Sequence, residues 1–309
     1  MPHSPRVVLV TGASSGIGRA TARLAAESGD HLVLVARGEG PLKEVADDAE
    51  RRGAASAMVV PTDVGDDEAV RACVETALER HGRIDGVVHC AGVVAYGRVE
   101  EVPTEVFDTV IRTNLLGSVH LARHVLPGMR ERDGGVFVQI GSVLGHMAVP
   151  NMSPYVVSKW GVRALIRELQ IENRDRPGVG ICYLAPGGVD TPIYWQAGTY
   201  DGHIGRPPPP VVSPEHIARR ALRLLDHPRK QVQSPFTNHF LRFGFTFLPD
   251  LYDTIVRPLF PFGAKDLTAE RADGPGNVLT SSPEGNRLKG DQGNALVGIT
   301  RNVLRRFGG

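Results

Sequence analysis

The stretch "LVTGASSGIGRAT", residues 9–21, decides how the rest of the chain is read. The apolar run "VVLV" at 7–10 leads into it, and a helix pattern from Ile17 to Ser28 leaves it. Gly12, Gly16 and Gly18 fall at the turn between them. Glycine there permits tight backbone conformations and lets the chain approach a pyrophosphate closely. The helix that follows presents unpaired N–H groups and a favourable dipole to the same anion. The spacing is G-x-x-x-G-x-G, with Ser14, Ser15 and Ile17 between the glycines. An ordinary glycine-rich turn is the alternative. The strand before it and the helix after it count against that.

Outward from this turn, short apolar runs alternate with longer helix patterns. "HLVLVA" (31–36), residues 54–61, "IDGVVHCAG" (84–92), "GGVFVQIGS" (134–142) and "VGICYLAPG" (179–187) read as further strands. Helix patterns over 41–52 and 67–81 separate the first of them. Strands alternating with helices predict βαβ units, hence an α/β fold with a doubly wound parallel sheet and helices on both faces. Apolar runs with little alternation suit strands buried on both sides.

The bulk numbers narrow the function. The 309 residues suffice for one large α/β domain or two smaller ones, and 41% are hydrophobic, so a sizeable core is available. A net charge of +1 gives no argument for a nucleic-acid partner. The cysteines, Cys73, Cys90 and Cys182, are odd in number and far apart, which excludes a disulfide framework and a zinc spacing, so no metal is expected. A signal-peptide pattern and an 18-residue apolar run are both lacking, so the expected location is cytoplasmic.

The second strand ends in Arg37. An acidic residue there would accept hydrogen bonds from the adenine ribose, whereas an arginine would pair with a 2′-phosphate. Ser14 and Ser15 add hydroxyl donors, and Asp63 and Val64, after the third strand, are placed to hold the adenine. The expected cofactor is therefore NADP(H).

"SPYVVSKWG", residues 153–161, sets Tyr155 one helical turn before Lys159. A phenol titrates near pH 10 and is a poor acid or base at neutral pH, but a nearby positive charge favours the phenolate. The pair is a tuned acid/base or a coincidence of one helix face. With "TGASSGIG" (11–18), "HCAG" (89–92), "TNLLGS" (113–118), "IGS" ending at Ser142, "YVVSK" (155–159) and "PGGVDTP" (186–192), the chain resembles the short-chain dehydrogenase/reductase family over about residues 5–230. The resemblance implies a Rossmann-type sheet and a catalytic tetrad on Asn114, Ser142, Tyr155 and Lys159. Tyr155 would exchange a proton with a carbonyl or alcohol oxygen, Ser142 would hydrogen-bond that oxygen, and Lys159 would lower the phenol pKa and hold the nicotinamide ribose. Asn114 would position a water linking Lys159 to solvent. Ala91, Gly92, Pro186, Gly187, Val189 and Thr191 would border the cofactor, together with Asn114, Tyr155 and Lys159. His89 and Cys90 stand where the family often has two asparagines, and Cys90 reads as a buried small residue. A homo-oligomer is also implied.

The domain is expected to span 1–235. Residues 193–212 read as a substrate lid, with Tyr194 and Trp195 lining the pocket or packing the lid. Seven of the ten phenylalanines lie between Phe236 and Phe262, so 236–262 is expected to be an aromatic-rich helical extension, with Phe240, Phe243, Phe247 and Leu251 at helical spacing. It serves the substrate pocket, a subunit interface or peripheral membrane contact. Residues 263–309, rich in Gly, Asn and charge, read as a flexible tail, with "ALVGITRNVLRRF" (295–307) a short basic helix at most. The expected activity is NADPH-dependent hydride transfer to a small-molecule carbonyl, or from the corresponding secondary alcohol, of an apolar substrate. The alternatives are an NAD-linked alcohol dehydrogenase and a non-catalytic nucleotide-binding regulator on the same fold.

Overall fold

The computed structural model describes residues 4–307. Its centre is a seven-stranded sheet of β1 (Val7–Thr11), β2 (His31–Ala36), β3 (Ser56–Pro61), β4 (Gly86–His89), β5 (Gly135–Ile140), β6 (Val179–Pro186) and β7 (Gln231–Ser234). The strand order is β7-β6-β5-β4-β1-β2-β3, and all neighbours are parallel. This is the Rossmann-type, doubly wound arrangement.

Alternation along β1 shows why the sheet needs helices on both faces. Val7 and Leu9 join one core, and Val8 and Val10 join the other. The first core is closed by α3 (Asp67–His81), α5 (Gly117–Glu131) and α6 (Ser153–Glu172). The second is closed by α1 (Gly16–Glu27), α2 (Glu39–Arg51) and α7 (Pro214–Asp226). The strand order reverses between β1 and β4, so the loops that leave these strands diverge and open a crevice at their carboxyl ends. Helix α4 (Thr104–Ile111) continues through a π-helical turn, Arg112–Leu116, into α5. Such turns often mark functional positions.

Beyond the sheet, α8 (Asn238–Phe247) and α9 (Pro249–Ala264) form a helical pair. The expected stripe from Phe240 to Leu251 is broken at Leu248, which has φ −133° and ψ 56°. Pro249 has no N–H to continue the helix and disfavours helical backbone in the residue before it, so Leu251 belongs to α9. Among the described residues, no helix is long and apolar enough to cross a membrane.

The expectation of a flexible tail over 263–309 differs from the structure of its described part, 263–307; residues 308–309, like 1–3 at the other end, lie outside the described residues. Strand Lys265–Glu270 pairs antiparallel with His203–Gly205. Lys265 forms an ion pair with Asp201, both buried. Helix α10 (Ala295–Phe307) carries a buried Asn302 whose amide donates to Phe262 O at 2.9 Å and Lys265 O at 2.8 Å. Val278 is fully buried beside Val93, Val102 and Val106. Composition suggested disorder because the tail is polar. Its order comes from specific amide and main-chain hydrogen bonds around one apolar anchor, which composition does not register.

Candidate active site

The glycine loop leaves β1 at the crevice. Gly12 and Gly16 have φ of +64° and +48°, where side chains are strained. A Cβ on Gly18 would lie 2.2 Å from Gly12 O, and one on Gly12 would lie 2.9 Å from Ala91 N. The loop is thus packed backbone to backbone. Thr11 Oγ1 accepts from Cys90 N and Ala91 N, both at 3.1 Å, and bonds His89 Nδ1 at 2.6 Å, which ties the end of β1 to the end of β4. Burial and the charge of Lys159 hold His89 at about 3, so its ring is neutral. Burial pushes the Cys90 thiol up to about 12, which rules out a thiolate nucleophile at neutral pH.

The resulting cleft is lined by Gly12, Ser14, Ser15, Gly16, Ile17 and Gly18, by Arg37, by Asp63 and Val64, by Ala91 and Gly92, and by Thr191. The cleft suits a dinucleotide on three grounds. Ser15, the residue before α1, makes no side-chain cap, so the N–H groups that open α1, apart from that of Gly16, which donates to Arg287 O, are free of a side-chain cap and can meet an anion. The glycines leave no Cβ between backbone and ligand. Behind Gly92, where a Cβ would lie 3.7 Å from its ammonium, Lys159 is 4% exposed and donates to Ile140 O at a long 3.5 Å, so it has donors to spare.

Tyr155 and Lys159 lie in the first two turns of α6, with Lys159 Nζ 5.5 Å from the Tyr155 ring centroid. Ser142 follows β5. Its hydroxyl accepts from Leu144 N at 3.1 Å, and its backbone N–H and carbonyl both bond Tyr183 Oη, at 3.2 and 3.1 Å. The sequence led to the expectation that Lys159 lowers the phenol pKa. In the structure burial dominates and pushes Tyr155 up to about 12, with the Ser142 hydroxyl opposing the rise. Lys159 is itself brought down to about 8 by burial. A buried site penalises both charged forms, and the ring-to-ammonium distance leaves the two weakly coupled.

Asn114 sits in the π-helical turn. Its Oδ1 accepts from Val93 N at 2.8 Å, and its Nδ2 donates to Val93 O at 2.9 Å and to Ser158 Oγ at 3.0 Å. The expected water has to compete with these three bonds. What the side chain does directly is pin the segment after Gly92 to α6.

Ser142 and Tyr155 open onto a second, larger cavity of about 570 Å³, which shares Ile193 with the cleft. Its near wall is Val94, Tyr96, Leu144, Met147, Met152 and Tyr194, and its far wall is Leu241, Leu248, Leu251, Ile255, Leu259 and Phe260 of the helical pair and its junction. The volume and apolar lining are those of a small-molecule site. Phe240 and Leu251 line the cavity and are also 68% and 54% exposed, so its mouth merges with an apolar surface belt.

Six expected cofactor contacts do not line the cleft: Asn114, Tyr155, Lys159, Pro186, Gly187 and Val189. Gly187 borders the apolar cavity, because its backbone packs on the start of α8, where a Cβ would lie 2.8 Å from Asn238 Oδ1. Val189 is buried and pairs with Val212, and Pro186 closes β6; neither lines the polar cleft or the apolar cavity. Tyr194 lines the apolar cavity, whereas Trp195 donates from Nε1 to Gly290 O at 2.8 Å. Sequence reading missed Thr62, Gln196, Asn277, Ser281, Ser282 and Asn286, all of which line the polar cleft. The four from the tail carry no motif.

The family pattern described as "short chain dehydrogenase" matches residues 6–200. An uncharacterized oxidoreductase, YxnA, of Bacillus subtilis is 32% identical over 230 residues, covering 74% of this chain and 64% of that protein's length. An alcohol dehydrogenase from Thermococcus sibiricus, solved with 5-hydroxy-NADP, aligns with a TM-score of 0.65 and 31% identity over 74% of this chain and 96% of that one. A short-chain dehydrogenase/reductase from Burkholderia phymatum, solved with NAD, aligns with a TM-score of 0.71 and 25% identity over 81% of this chain and 96% of that one. The match over most of the sheet, on top of the glycine loop and the Tyr155–Lys159 helix, makes this chain a member of the short-chain dehydrogenase/reductase family of oxidoreductases.

Proposed function

We propose that the protein is an NADP(H)-dependent oxidoreductase that interconverts a carbonyl and a secondary alcohol on an apolar substrate. One observation carries this reading: Tyr155 and Ser142 line the large apolar cavity, which shares Ile193 with the polar cleft. The cofactor, when bound, supplies or accepts the hydride. The open N–H groups of the glycine loop would hold its pyrophosphate, Asp63 and Val64 its adenine, Arg37 its 2′-phosphate, Lys159 its inner ribose and Thr191 its amide.

A phenol held near 12 keeps its proton at neutral pH, so Tyr155 is ready to donate to a carbonyl oxygen. Lys159, at about 8, is mostly cationic at pH 7 and, weakly coupled to the phenol as it is, offsets a small part of the burial cost of the phenolate left behind. The Ser142 hydroxyl hydrogen-bonds the same oxygen and stabilises its developing charge. In the oxidative direction the proton returns to Tyr155. The apolar belt around the cavity mouth suits delivery of apolar substrate from a lipid surface, in a cytoplasmic protein with peripheral membrane contact.

A second reading, NAD in place of NADP, draws on the state of Arg37, both of whose Nη atoms already donate to main-chain carbonyls. Titration with NADPH and NADH, followed by turnover on ketones of rising chain length, tests both. Tighter NADPH binding and a KM that falls with chain length are expected. Tight binding without turnover on any ketone or alcohol would instead favour a nucleotide-binding regulator.

A further inference from the structure

The segment from Gly274 to Asp291 crosses the open side of the polar cleft and is tied down around its rim. At the end of β2, Arg37 donates to Asn277 O at 2.7 Å and to Val278 O at 3.3 Å. At the glycine loop, Gly16 N donates to Arg287 O at 2.9 Å, which uses one of the N–H groups that open α1. On the lid side, Asn277 N donates to Gln196 O at 2.8 Å, and Gln196 Nε2 donates to Asn286 Oδ1 at 3.1 Å. Further on, Gly290 N donates to Asp190 Oδ1 at 3.1 Å. Val278, fully buried, anchors the start. Between these ties the side chains of Asn277, Ser281, Ser282 and Asn286 line the cleft.

With the segment in this position the cleft is only about 150 Å³. Sites for small-molecule ligands run to roughly 300–1,000 Å³. The segment therefore narrows the way in for a dinucleotide. The ties are nearly all single hydrogen bonds to main chain. Water replaces such bonds at small net cost, so the part beyond the Val278 anchor belongs to the low-stability end of the molecule and can lift without disturbing the sheet.

We propose that residues 274–291 are a strap that forms the outer wall of the cofactor site, lifting to admit the dinucleotide and closing to retain it. In the closed state Asn277, Ser281 and Ser282 become cofactor contacts beside Arg37. Arginine carries five N–H donors, so Arg37 can keep a strap carbonyl and still meet a phosphate. It thereby couples strap closure to the adenosine end of the ligand. The strap rests on the reading of the cleft as a dinucleotide site.

A reversible lock tests it. A Cβ on residue 38 would stand 3.4 Å from Ser281 Oγ, and the backbone there, φ −93° and ψ 118°, accepts any side chain. In the Gly38→Cys/Ser281→Cys double variant, oxidation pins the strap down. The two single variants control for the native cysteines, and mass spectrometry verifies the bridge. NADPH fluorescence gives association and release rates. Oxidised, unloaded protein is expected to load at least roughly tenfold more slowly than reduced protein, with reversal by reductant, in keeping with gated binding. Protein oxidised after loading is expected to hold its cofactor through desalting. A chain ending at Ala272 is expected to release NADPH faster than the unmodified protein. Equal loading rates in the oxidised and reduced double variant would overturn the proposal. So would an unchanged release rate in a truncated chain that is folded by circular dichroism. If the truncated chain does not fold, the cysteine pair decides alone. Failure of the unmodified protein to bind either dinucleotide would overturn the cofactor reading and the strap together, whereas binding at strap-independent rates overturns the strap only.

Discussion

The two cavities that share Ile193 are built from opposite materials. The polar cleft is walled by strand ends, glycine backbone and a few side chains with narrow geometric tasks. The apolar cavity is walled by interchangeable hydrophobic side chains, many of them on α8 and α9, which pack outside the sheet. The first cannot tolerate a methyl group at Gly18, where a Cβ would fall 2.2 Å from a carbonyl oxygen. The second leaves Leu251 and Leu259 more than half exposed. A cofactor common to many reactions needs a fixed cradle. A substrate recognised by its apolar bulk needs only area and a way in, because the hydrophobic effect is not directional.

The comparison is best attacked at Tyr155. Tyr155→Phe should lower kcat by about 10²- to 10⁴-fold, the range for a general acid/base, and leave NADPH affinity nearly unchanged because the ring remains. Steady-state rates beside a binding titration measure this. Retention of most of the activity would remove Tyr155 from the chemistry and separate the two cavities functionally.

Next comes the cleft alone. Arg37→Asp should cost NADPH about 1.5–3 kcal/mol, or roughly 10- to 150-fold in Kd, and turn the preference toward NADH. Equal loss for both cofactors would mean that Arg37 acts through its bonds to Asn277 and Val278 and not on a phosphate. On the apolar side, Ile255→Asn should raise KM for a long-chain ketone about fivefold and leave a short-chain ketone unaffected, since Ile255 is half-exposed and contributes about 1 kcal/mol at most. A uniform rise across chain lengths would argue against the cavity as the substrate's tail site.

The smallest effect concerns pH. His89, at the end of β4 behind the cleft, and His146 are both held at about 3, chiefly by burial. Their folded values lie below the ordinary 6.5, so the unfolded chain binds more protons between pH 6.5 and 3. Stability should therefore fall as pH drops through that window. His89→Asn should flatten the decline in Tm between pH 7 and 5 relative to the unmodified protein. An unchanged slope would place the acid sensitivity elsewhere.

Much of the cleft was legible in the sequence because its parts are local. Gly12 to Gly18 are seven consecutive residues between a strand and a helix, and Tyr155 and Lys159 share one helical turn. Short-range patterns of this kind follow from backbone geometry and helix periodicity. The alternation of apolar runs and helix patterns likewise predicted the doubly wound sheet. The pKa relation between Tyr155 and Lys159 was misjudged, because pairing is visible in spacing but burial is not. Gly187 was assigned to the cofactor side by its place after β6, yet its backbone lies against Asn238 of α8, a neighbour fixed only by packing.

The sheet, the glycine loop and the Tyr155–Lys159 helix are legible in the chain order alone, since each is encoded within a stretch whose residues meet through a turn or a helical repeat. Only the tertiary structure decided what surrounds them. Arg37 meets Asn277 across 240 residues of chain, and Trp195 meets Gly290 across 95. Neither contact involves a residue pattern, because in each the acceptor is a backbone carbonyl that any residue supplies. The tail reads as polar texture in one dimension and becomes a wall of the cleft in three. The reason is physical: main-chain hydrogen bonds depend on where the chain passes and hardly at all on which side chains it carries.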